Sequence, residues 1–316
     1  MKFITMCLGA LIFLAYPSSN AQTKSQQSTD AQSYFNGEQL LQHIKTLSSD
    51  EFEGRQTGTK GGIKAKQYII EQFQDLDVSP LGDSFEQKFS FESRDKMYQA
   101  ANVLGLIKGS EFPDSYIVIS AHYDHLGISV KESQTDRIYN GADDDASGTS
   151  ALFSFAEYFK NNPPKHSVIL AAFDSEELGL RGSKYFVDHA IVPQEAIMVN
   201  LNMDMISRNT KNELYAVGTR YNETLKQLIS NFKPSGKVKL LTGHDGKDGK
   251  QNWTGSSDHG SFHNKKIPFL YFGVEDHDDY HKATDHYENI HPEFYKATVG
   301  LIISVFREID AIQIKK

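Results

Sequence analysis

The apolar residues of this chain fall into short continuous runs and into segments with helical spacing. The continuous runs predict strands that are buried on both faces of a sheet, at 103–107, 116–121, 168–173, 197–201, 214–217 and 267–272. Segments with a three- and four-residue period predict helices, at 40–47, 63–73, 147–160, 176–189, 222–232 and 292–309. This alternation predicts an α/β fold, a single domain over 35–316 with a central mixed, mainly parallel β-sheet flanked by helices on both faces.

The first 34 residues have a different pattern. Lys2, an apolar run over 3–16 and a small polar stretch over 18–21 predict a secretory signal peptide at residues 1–21. The run is shorter than the roughly 20 residues of a membrane-spanning helix, so we expect no stable membrane anchor after cleavage. Residues 22–34 are polar and predict a disordered lead-in. We therefore expect an exported protein, either periplasmic or secreted.

Composition narrows the possible functions. The 316 residues carry a formal net charge of −8, which argues against a nucleic-acid partner because neutralising phosphates needs clustered Lys and Arg. The single cysteine, Cys7, lies within the predicted signal peptide. An exported protein without cysteine is stabilised by its core or by metals rather than by disulfides. Peptides and small molecules remain as substrate classes.

Histidines and carboxylates follow the ends of the predicted strands. Because ligands of open α/β sheets bind beyond the carboxyl ends of the strands, we expect these side chains to meet at one edge. Imidazole nitrogens with carboxylate oxygens suit zinc, and several of them can hold two ions that share a carboxylate. Taken singly, each group has an ordinary explanation as a surface or helix-terminal charge, but their convergence indicates a metallohydrolase. The residues are His122, Asp124, Asp143–Asp145, Glu176, Glu177, Asp204 and His281.

Two of these groups have further expected roles. A hydrolase needs a carboxylate base that does not bind metal, and the adjacent pair Glu176 and Glu177 supplies one ligand and one base. Asp124 lies two residues after His122, where its carboxylate is expected to orient that imidazole.

Several stretches resemble a known family, the co-catalytic zinc aminopeptidases. That family shares its zinc-peptidase/phosphorylase-like fold with glutamate carboxypeptidase and glutaminyl cyclase. The similar stretches are His122-Tyr123-Asp124, Gly141 to Gly148, Phe173 to Gly179, Asn202 to Met205, Ser257 to Phe262 and Tyr280 to Asp285. The segments Ser48 to Arg55 and Gly58 to Gly61 resemble the secreted bacterial members.

The resemblance implies a role for each matching residue. Asp144 is implied as the ligand that bridges two Zn²⁺ ions, and the bond from Asp144 to Asp145 as a cis peptide. The other implied ligands are His122 and Asp204 for one ion, and Glu177 and His281 for the other. Glu176 is implied as the general base, Asp124 as the support of His122, and Asp285 as a support of the His281 segment.

The implied activity is hydrolysis of the N-terminal peptide bond of peptides with a free N-terminus, by water that two zinc ions activate. An acid must then bind the α-amine, and 275–279 is rich in acids; Tyr280 and His259 are candidate donors to a tetrahedral intermediate. Three alternatives stay open: a glutaminyl cyclase-type enzyme with one zinc, a non-catalytic peptide-binding member of the fold, and a carboxypeptidase, which would need an arginine cluster for the substrate carboxylate.

Overall fold

The computed structural model describes Met1 and residues 34–131, 135–189 and 191–314. The predicted signal peptide, apart from Met1, and residues 22–33 of the predicted lead-in lie outside the described residues. Tyr34 already belongs to the folded part, because its ring packs edge-to-face against Tyr158 with 5.4 Å between the centroids. Among the described residues, no helix has both the length and the apolar character needed to cross a membrane.

The described chain forms eleven strands and seven α-helices. The strands are β1 (Ser79–Pro80), β2 (Glu86–Ser93), β3 (Lys96–Ile107), β4 (Phe112–His122), β5 (Gly127–Ile128), β6 (Ile138–Tyr139), β7 (His166–Phe173), β8 (Ile197–Met203), β9 (Glu213–Val217), β10 (Lys239–Leu241) and β11 (Phe269–Gly273). The helices are α1 (Gly37–Leu47), α2 (Lys60–Asp75), α3 (Gly148–Asn161), α4 (Arg181–Asp188), α5 (Glu223–Asn231), α6 (His259–Asn264) and α7 (Pro292–Asp310).

Nine of these strands form one mixed sheet. Its order is β1-β3-β7-β4-β8-β11-β9-β10, with β2 paired to β3. The four central strands β7, β4, β8 and β11 run parallel, whereas β3 on one side and β9 on the other pair antiparallel to them. The prediction of a mixed sheet is confirmed, and its parallel centre sends four carboxyl ends to one edge.

Helices cover both faces of the sheet. Along β4, Ile117 and Ile119 belong to a large apolar cluster that includes residues of α1, α2, α3, α5 and α7. The alternate residue Val118 belongs to a second cluster with residues of α4 and α6. Every residue of β7 and of β8 is buried, as expected for strands covered on both sides.

Several elements differ from the sequence prediction. The short strands β1, β5, β6 and β10 and the short helix α6 were not predicted. Strands β2 and β3 form a long hairpin, of which only 103–107 was predicted, because its turn contains no glycine. Arg94 and Asp95 adopt φ values of 50° and 60° at that turn, the left-handed geometry of a two-residue hairpin loop. Helix α4 begins at Arg181 rather than at 176, since Ser175, Gly179 and Leu180 have positive φ.

Candidate metal centre

Side chains that can bind a metal meet at the carboxyl edge of the parallel strands. His122 is the last residue of β4, and Asp204 directly follows β8. Glu176 and Glu177 lie in the irregular segment between β7 and α4, and His281 lies in the loop after β11. The expectation that strand ends would collect these groups agrees with the structure.

A wide π-type turn at residues 142–147 carries the three consecutive aspartates. Gly141 precedes it at φ 55°, and a Cβ at this position would lie 2.2 Å from the main-chain oxygen of Asp144. The peptide bond between Asp144 and Asp145 is cis, as the resemblance implied. The turn directs the carboxylate of Asp144 toward His122, with 3.2 Å between Oδ1 and Nε2.

The first group of donors surrounds His122. Its Nε2 lies 3.2 Å from Oδ1 of Asp144 and 3.7 Å from Oδ1 of Asp204. Nδ1 lies 3.0 Å from the main-chain oxygen of Asp124 and donates to it, which leaves Nε2 free to act as a ligand.

The second group lies on the other side of Asp144. Nε2 of His281 is 3.2 Å from Oδ2 of Asp144 and 3.4 Å from Oε2 of Glu177. The two oxygens of Asp144 therefore face different imidazoles, as expected of a carboxylate shared by two ions.

His125 also reaches the second group, although it was not among the ligands predicted from the sequence. Its Nδ1 lies 2.8 Å from Oε1 of Glu177 and 3.7 Å from Oδ2 of Asp144. The feature of the sequence that could have identified His125 is its position directly after His122-Tyr123-Asp124. His125, Asp144 and Glu177 have donor atoms close enough together to hold one ion.

Unpaired buried oxygens show that these residues fit a metal. Oδ2 of Asp144, Oε1 of Glu177 and Oδ1 of Asp204 are enclosed and make no hydrogen bond. Buried carboxylate oxygens without a partner are strongly unfavourable, and a bound cation would compensate for this. Two groups of histidine and carboxylate donors are therefore suited to metal ions.

Asp145 lies within reach of His122 and Asp204 as well, but its oxygens have other partners. Oδ2 accepts from the main-chain N–H of His122 at 3.1 Å, and Oδ1 from that of Gly148 at 2.8 Å. Asp145 thus holds the backbone at this edge, while Asp144 retains free oxygen atoms for a metal.

Glu176 lies beside the first group and makes no ion pair with a cationic side chain among the described residues. Burial raises the pKa of its carboxyl well above the ordinary value, and the nearby Asp258 and Asp204 raise it further, against the opposing effect of His122. A carboxylate with a raised pKa is a stronger proton acceptor, which suits a general base.

Asp124 and Asp285 hold the main chain of this region. The carboxylate of Asp124 accepts from the N–H groups of Glu176 and Glu177, at 2.9 and 3.3 Å. Oδ1 of Asp124 is 3.7 Å from Nδ1 of His122, so its main-chain oxygen, rather than its carboxylate, contacts that ring most closely. Asp285 accepts from the N–H groups of Asp143 and Asp144, which places its support on the acidic turn.

A buried acid behind Glu176 was also not selected from the sequence. Asp258 has 0% exposure, and neither of its carboxylate oxygens makes a hydrogen bond. Burial raises its pKa to about 7. Asp258 belongs to the stretch Ser257 to Phe262, which resembles the family but implies no role for this residue.

A cavity of about 340 Å³ opens onto the two groups of donors. Of the acids at 275–279, only Asp276 lines it. Glu275 contacts His244 and Asp279 contacts Arg208. The other lining residues are mainly apolar or aromatic. They include Leu180, Met205, Trp253, Tyr271, Val274 and Tyr280.

The two candidate donors to a reaction intermediate differ in position. Tyr280 lines the cavity and stacks on His281 with 4.0 Å between the ring centroids. His259 is buried outside the cavity lining, and its Nε2 lies 2.8 Å from the main-chain oxygen of Trp253. Burial lowers the pKa of His259 to about 3, so its imidazole is neutral.

Comparisons with known proteins agree on one family. Residues 102–306 match the model of "Peptidase family M28". Aminopeptidase YwaD of Bacillus subtilis is 30% identical over 217 residues, which are 66% of this chain and 44% of that protein. The matched part of the chain spans less than half the length of the curated relatives that it resembles.

Solved structures share the fold at lower sequence identity. BSAP, a zinc aminopeptidase from Bacillus subtilis, superposes with a TM-score of 0.68 at 19% identity, covering 89% of this chain and 96% of that one. The glutaminyl cyclase of Porphyromonas gingivalis superposes with a TM-score of 0.70 at 16% identity, covering 87% and 99%.

Proposed function

The chain belongs to peptidase family M28, and on this premise we propose that it is an exported zinc aminopeptidase that hydrolyses the N-terminal peptide bond of peptides. The observation that carries the proposal is the convergence of unpaired buried oxygens of Asp144, Glu177 and Asp204 with the imidazoles of His122 and His281. Aminopeptidase YwaD and the zinc aminopeptidase BSAP are among the similar proteins, which supports the proposal.

Two zinc ions are proposed, with Asp144 as the shared ligand. His122 and Asp204 would complete the first site, and Glu177 and His281 would contribute to the second. Zinc bound there would act as a Lewis acid that polarises the scissile carbonyl and acidifies the attacking water.

Glu176 is proposed as the general base. Its carboxylate would take a proton from the attacking water and deliver it to the nitrogen of the leaving amine. The hydrogen bond from its N–H to Asp124 fixes the main chain of Glu176 beside His122. The raised pKa caused by its burial favours proton uptake.

The cavity supports a substrate with a free N-terminus. Asp276 places one carboxylate on its lining, where it can pair with an α-ammonium group. The apolar walls around Trp253 and Tyr271 suit an apolar first side chain. Export is supported by the basic and apolar start of the sequence at 2–16.

The proposal is tested by hydrolysis of a panel of aminoacyl-anilides, each compared with its N-acetylated form. We expect turnover of the free-amine substrates only, its loss with a chelator and its recovery with zinc. Equal turnover of the acetylated substrates would contradict an aminopeptidase. Pyroglutamyl product from N-terminal glutamine together with one bound ion would indicate a cyclase instead.

The base is tested by Glu176→Gln, which keeps the shape of the side chain. We expect bound zinc and the unfolding midpoint to stay unchanged while kcat falls about 10²- to 10⁴-fold. Glu71→Gln, an exposed substitution of the same type, is the control. Wild-type kcat in Glu176→Gln would remove the base assignment.

A further inference from the structure

We infer that His125 is a ligand of the second metal site, together with Asp144, Glu177 and His281. That site then has four protein donors, whereas the site at His122 has three. The inference rests on the proposed metallopeptidase function and deepens it by assigning the coordination of each ion.

The starting observation is an imidazole enclosed without a hydrogen bond. His125 is 1% exposed, and neither of its ring nitrogens has a partner among the described residues. The other deeply buried histidines among the described residues do have hydrogen-bond partners. His166 contacts Asp310, His244 contacts Glu275 and the main-chain oxygen of Gln251, and His259 contacts the main-chain oxygen of Trp253. An unpaired imidazole is unfavourable unless something absent from the protein atoms binds it.

The atoms around His125 are spaced as ligands rather than as a hydrogen-bonded pair. Nδ1 lies 2.8 Å from Oε1 of Glu177, yet the direction of the ring nitrogen misses that oxygen, and neither atom makes a hydrogen bond. Nδ1 is also 3.7 Å from Oδ2 of Asp144. Ligand atoms of a tetrahedral zinc site are separated by about 3.3 Å, since each lies about 2.0–2.1 Å from the ion. The two distances from Nδ1 of His125, 2.8 and 3.7 Å, therefore lie on either side of the separation expected for ligands of one zinc ion.

His281 completes the set from the opposite side. Its Nε2 lies 3.2 Å from the same Oδ2 of Asp144, and its ring centroid is 6.1 Å from that of His125. Both imidazoles thus lie beside the carboxylates of Asp144 and Glu177. This donor set is that of zinc, which takes four ligands in closed sites.

His125 approaches these carboxylates from behind the substrate cavity. It does not line the cavity of about 340 Å³, which His122, Asp204 and His281 do line. It borders a separate cavity of about 180 Å³, together with Asp124 and Glu177. A role in contacting the substrate is therefore excluded by position, while a role toward the metal is not.

Unequal donor numbers give the two sites different properties. Four protein donors fill the coordination sphere of zinc, whereas three leave a position open. The second ion is then the more tightly held, and the first is the one that keeps a free position toward the cavity. A single bound ion should accordingly occupy the second site.

The test is a zinc titration of metal-free protein against a chromophoric chelator. Asp204→Asn disables the first site, so that the remaining ion reports on the second. In that background we expect His125→Ala to weaken zinc binding by at least about 100-fold, because loss of a ligand exceeds the 10- to 100-fold effect of a residue that only orients one. His43→Gln, a buried histidine that bonds to Tyr68 in another part of the fold, is the matched control. A loss of less than about 100-fold in His125→Ala, which is the range of a residue that only orients a ligand, would overturn the inference.

A second measurement needs no variant. Zinc-edge X-ray absorption counts imidazole ligands, and we expect three for every two ions in the wild-type protein. Two imidazoles for two ions would overturn the assignment of His125 even if the variant failed to fold. Aminopeptidase activity in a protein with only two imidazole ligands would support the proposed function and contradict the assignment of His125. Three imidazoles without aminopeptidase activity would contradict the proposed function and leave the ligand assignment standing.

Discussion

The guanidinium of Arg55 donates to the main-chain oxygen of Asp144, with 3.2 Å between Nη2 and that oxygen. Arg55 has 0% exposure and makes four further hydrogen bonds of 2.6–2.9 Å. All of them go to main-chain oxygens, those of Leu47, Tyr123, Asn140 and Gly141. One cation therefore joins the segment after β4 to the acidic turn, and its charge offsets part of the carboxylate charge nearby.

Arg55→Lys is expected to destabilise the protein and to loosen the metal centre. A lysine keeps the charge but cannot form the same fork of hydrogen bonds, so buried oxygens lose their donors. We expect the free energy of unfolding to fall by about 3 kcal/mol or more, measured by urea denaturation, together with weaker zinc binding. Arg94→Lys, at an exposed arginine, should change it by less than about 0.5 kcal/mol. A similarly small effect at Arg55 would contradict this role.

Asp124→Asn is expected to lower activity through the position of Glu176. The amide keeps one acceptor oxygen and turns an NH₂ group toward a backbone N–H that needs an acceptor. We expect kcat on aminoacyl-anilides to fall by about 10- to 100-fold, with KM changed much less. Asp83→Asn, on the surface, controls for the loss of a charge. An unchanged kcat would show that these hydrogen bonds do not position the base.

Removal of metal is expected to lower the thermal stability. Without cations, the buried carboxylates of Asp144, Glu177 and Asp204 repel one another and keep unpaired oxygens. Zinc at 100 times its Kd adds about 2.7 kcal/mol, which corresponds to roughly 5–10 °C in Tm for a domain of this size. Differential scanning calorimetry with chelator and with added zinc measures the shift. Asp144→Ala should show little response to zinc, and a full shift in that variant would contradict a shared ligand.

His43 is expected to make folding sensitive to acid at a position separate from the metal centre. Burial lowers the pKa of His43 to about 4 from an ordinary value of 6.5. Between these two values the unfolded chain binds a proton at this residue and the folded protein does not, so stability falls as the pH drops from 6.5 to 4. The expected loss from His43 is on the order of 2–3 kcal/mol.

Comparison of wild type with His43→Gln isolates this contribution. We expect the glutamine variant to lose less stability than the wild type in urea unfolding at pH 7, 6, 5 and 4. Gln can still accept from the hydroxyl of Tyr68, which lies 2.8 Å from Nδ1 of His43. Parallel stability curves for the two proteins would show that His43 titrates normally.

The proximity of His122, Glu177 and Asp204 could be predicted from the sequence. Runs of apolar residues mark the strands, and the carboxyl ends of parallel strands lie at the same edge of a sheet. The inclusion of His125 could not be predicted in this way. In a strand, residues three apart point to opposite faces, but the chain leaves strand geometry after His122. Both imidazoles can then face the same carboxylates, and no periodicity in the sequence reports that change.

Long-range backbone contacts account for the other differences. The support of Asp285 was expected for the His281 segment, which is its neighbour in sequence. The structure places that carboxylate on Asp143 and Asp144, which are 142 and 141 residues away. Likewise, Arg55 belongs to a recognisable stretch, but its five main-chain acceptors come from segments whose approach only the folded chain defines.

Arg55 also has a consequence for the order of folding. It lies 89 residues before Asp144, and the proposed ligand His281 lies near the opposite end of the chain. Closing loops of this length is costly in entropy and depends on contacts already formed elsewhere. We therefore expect metal to bind after the segments that carry Arg55 and His281 have come together. A segment cut to the matched residues 102–306 would contain every proposed ligand. It would still lack the guanidinium of Arg55, which joins the segment after β4 to the acidic turn, so we expect it to bind zinc more weakly than the full chain does.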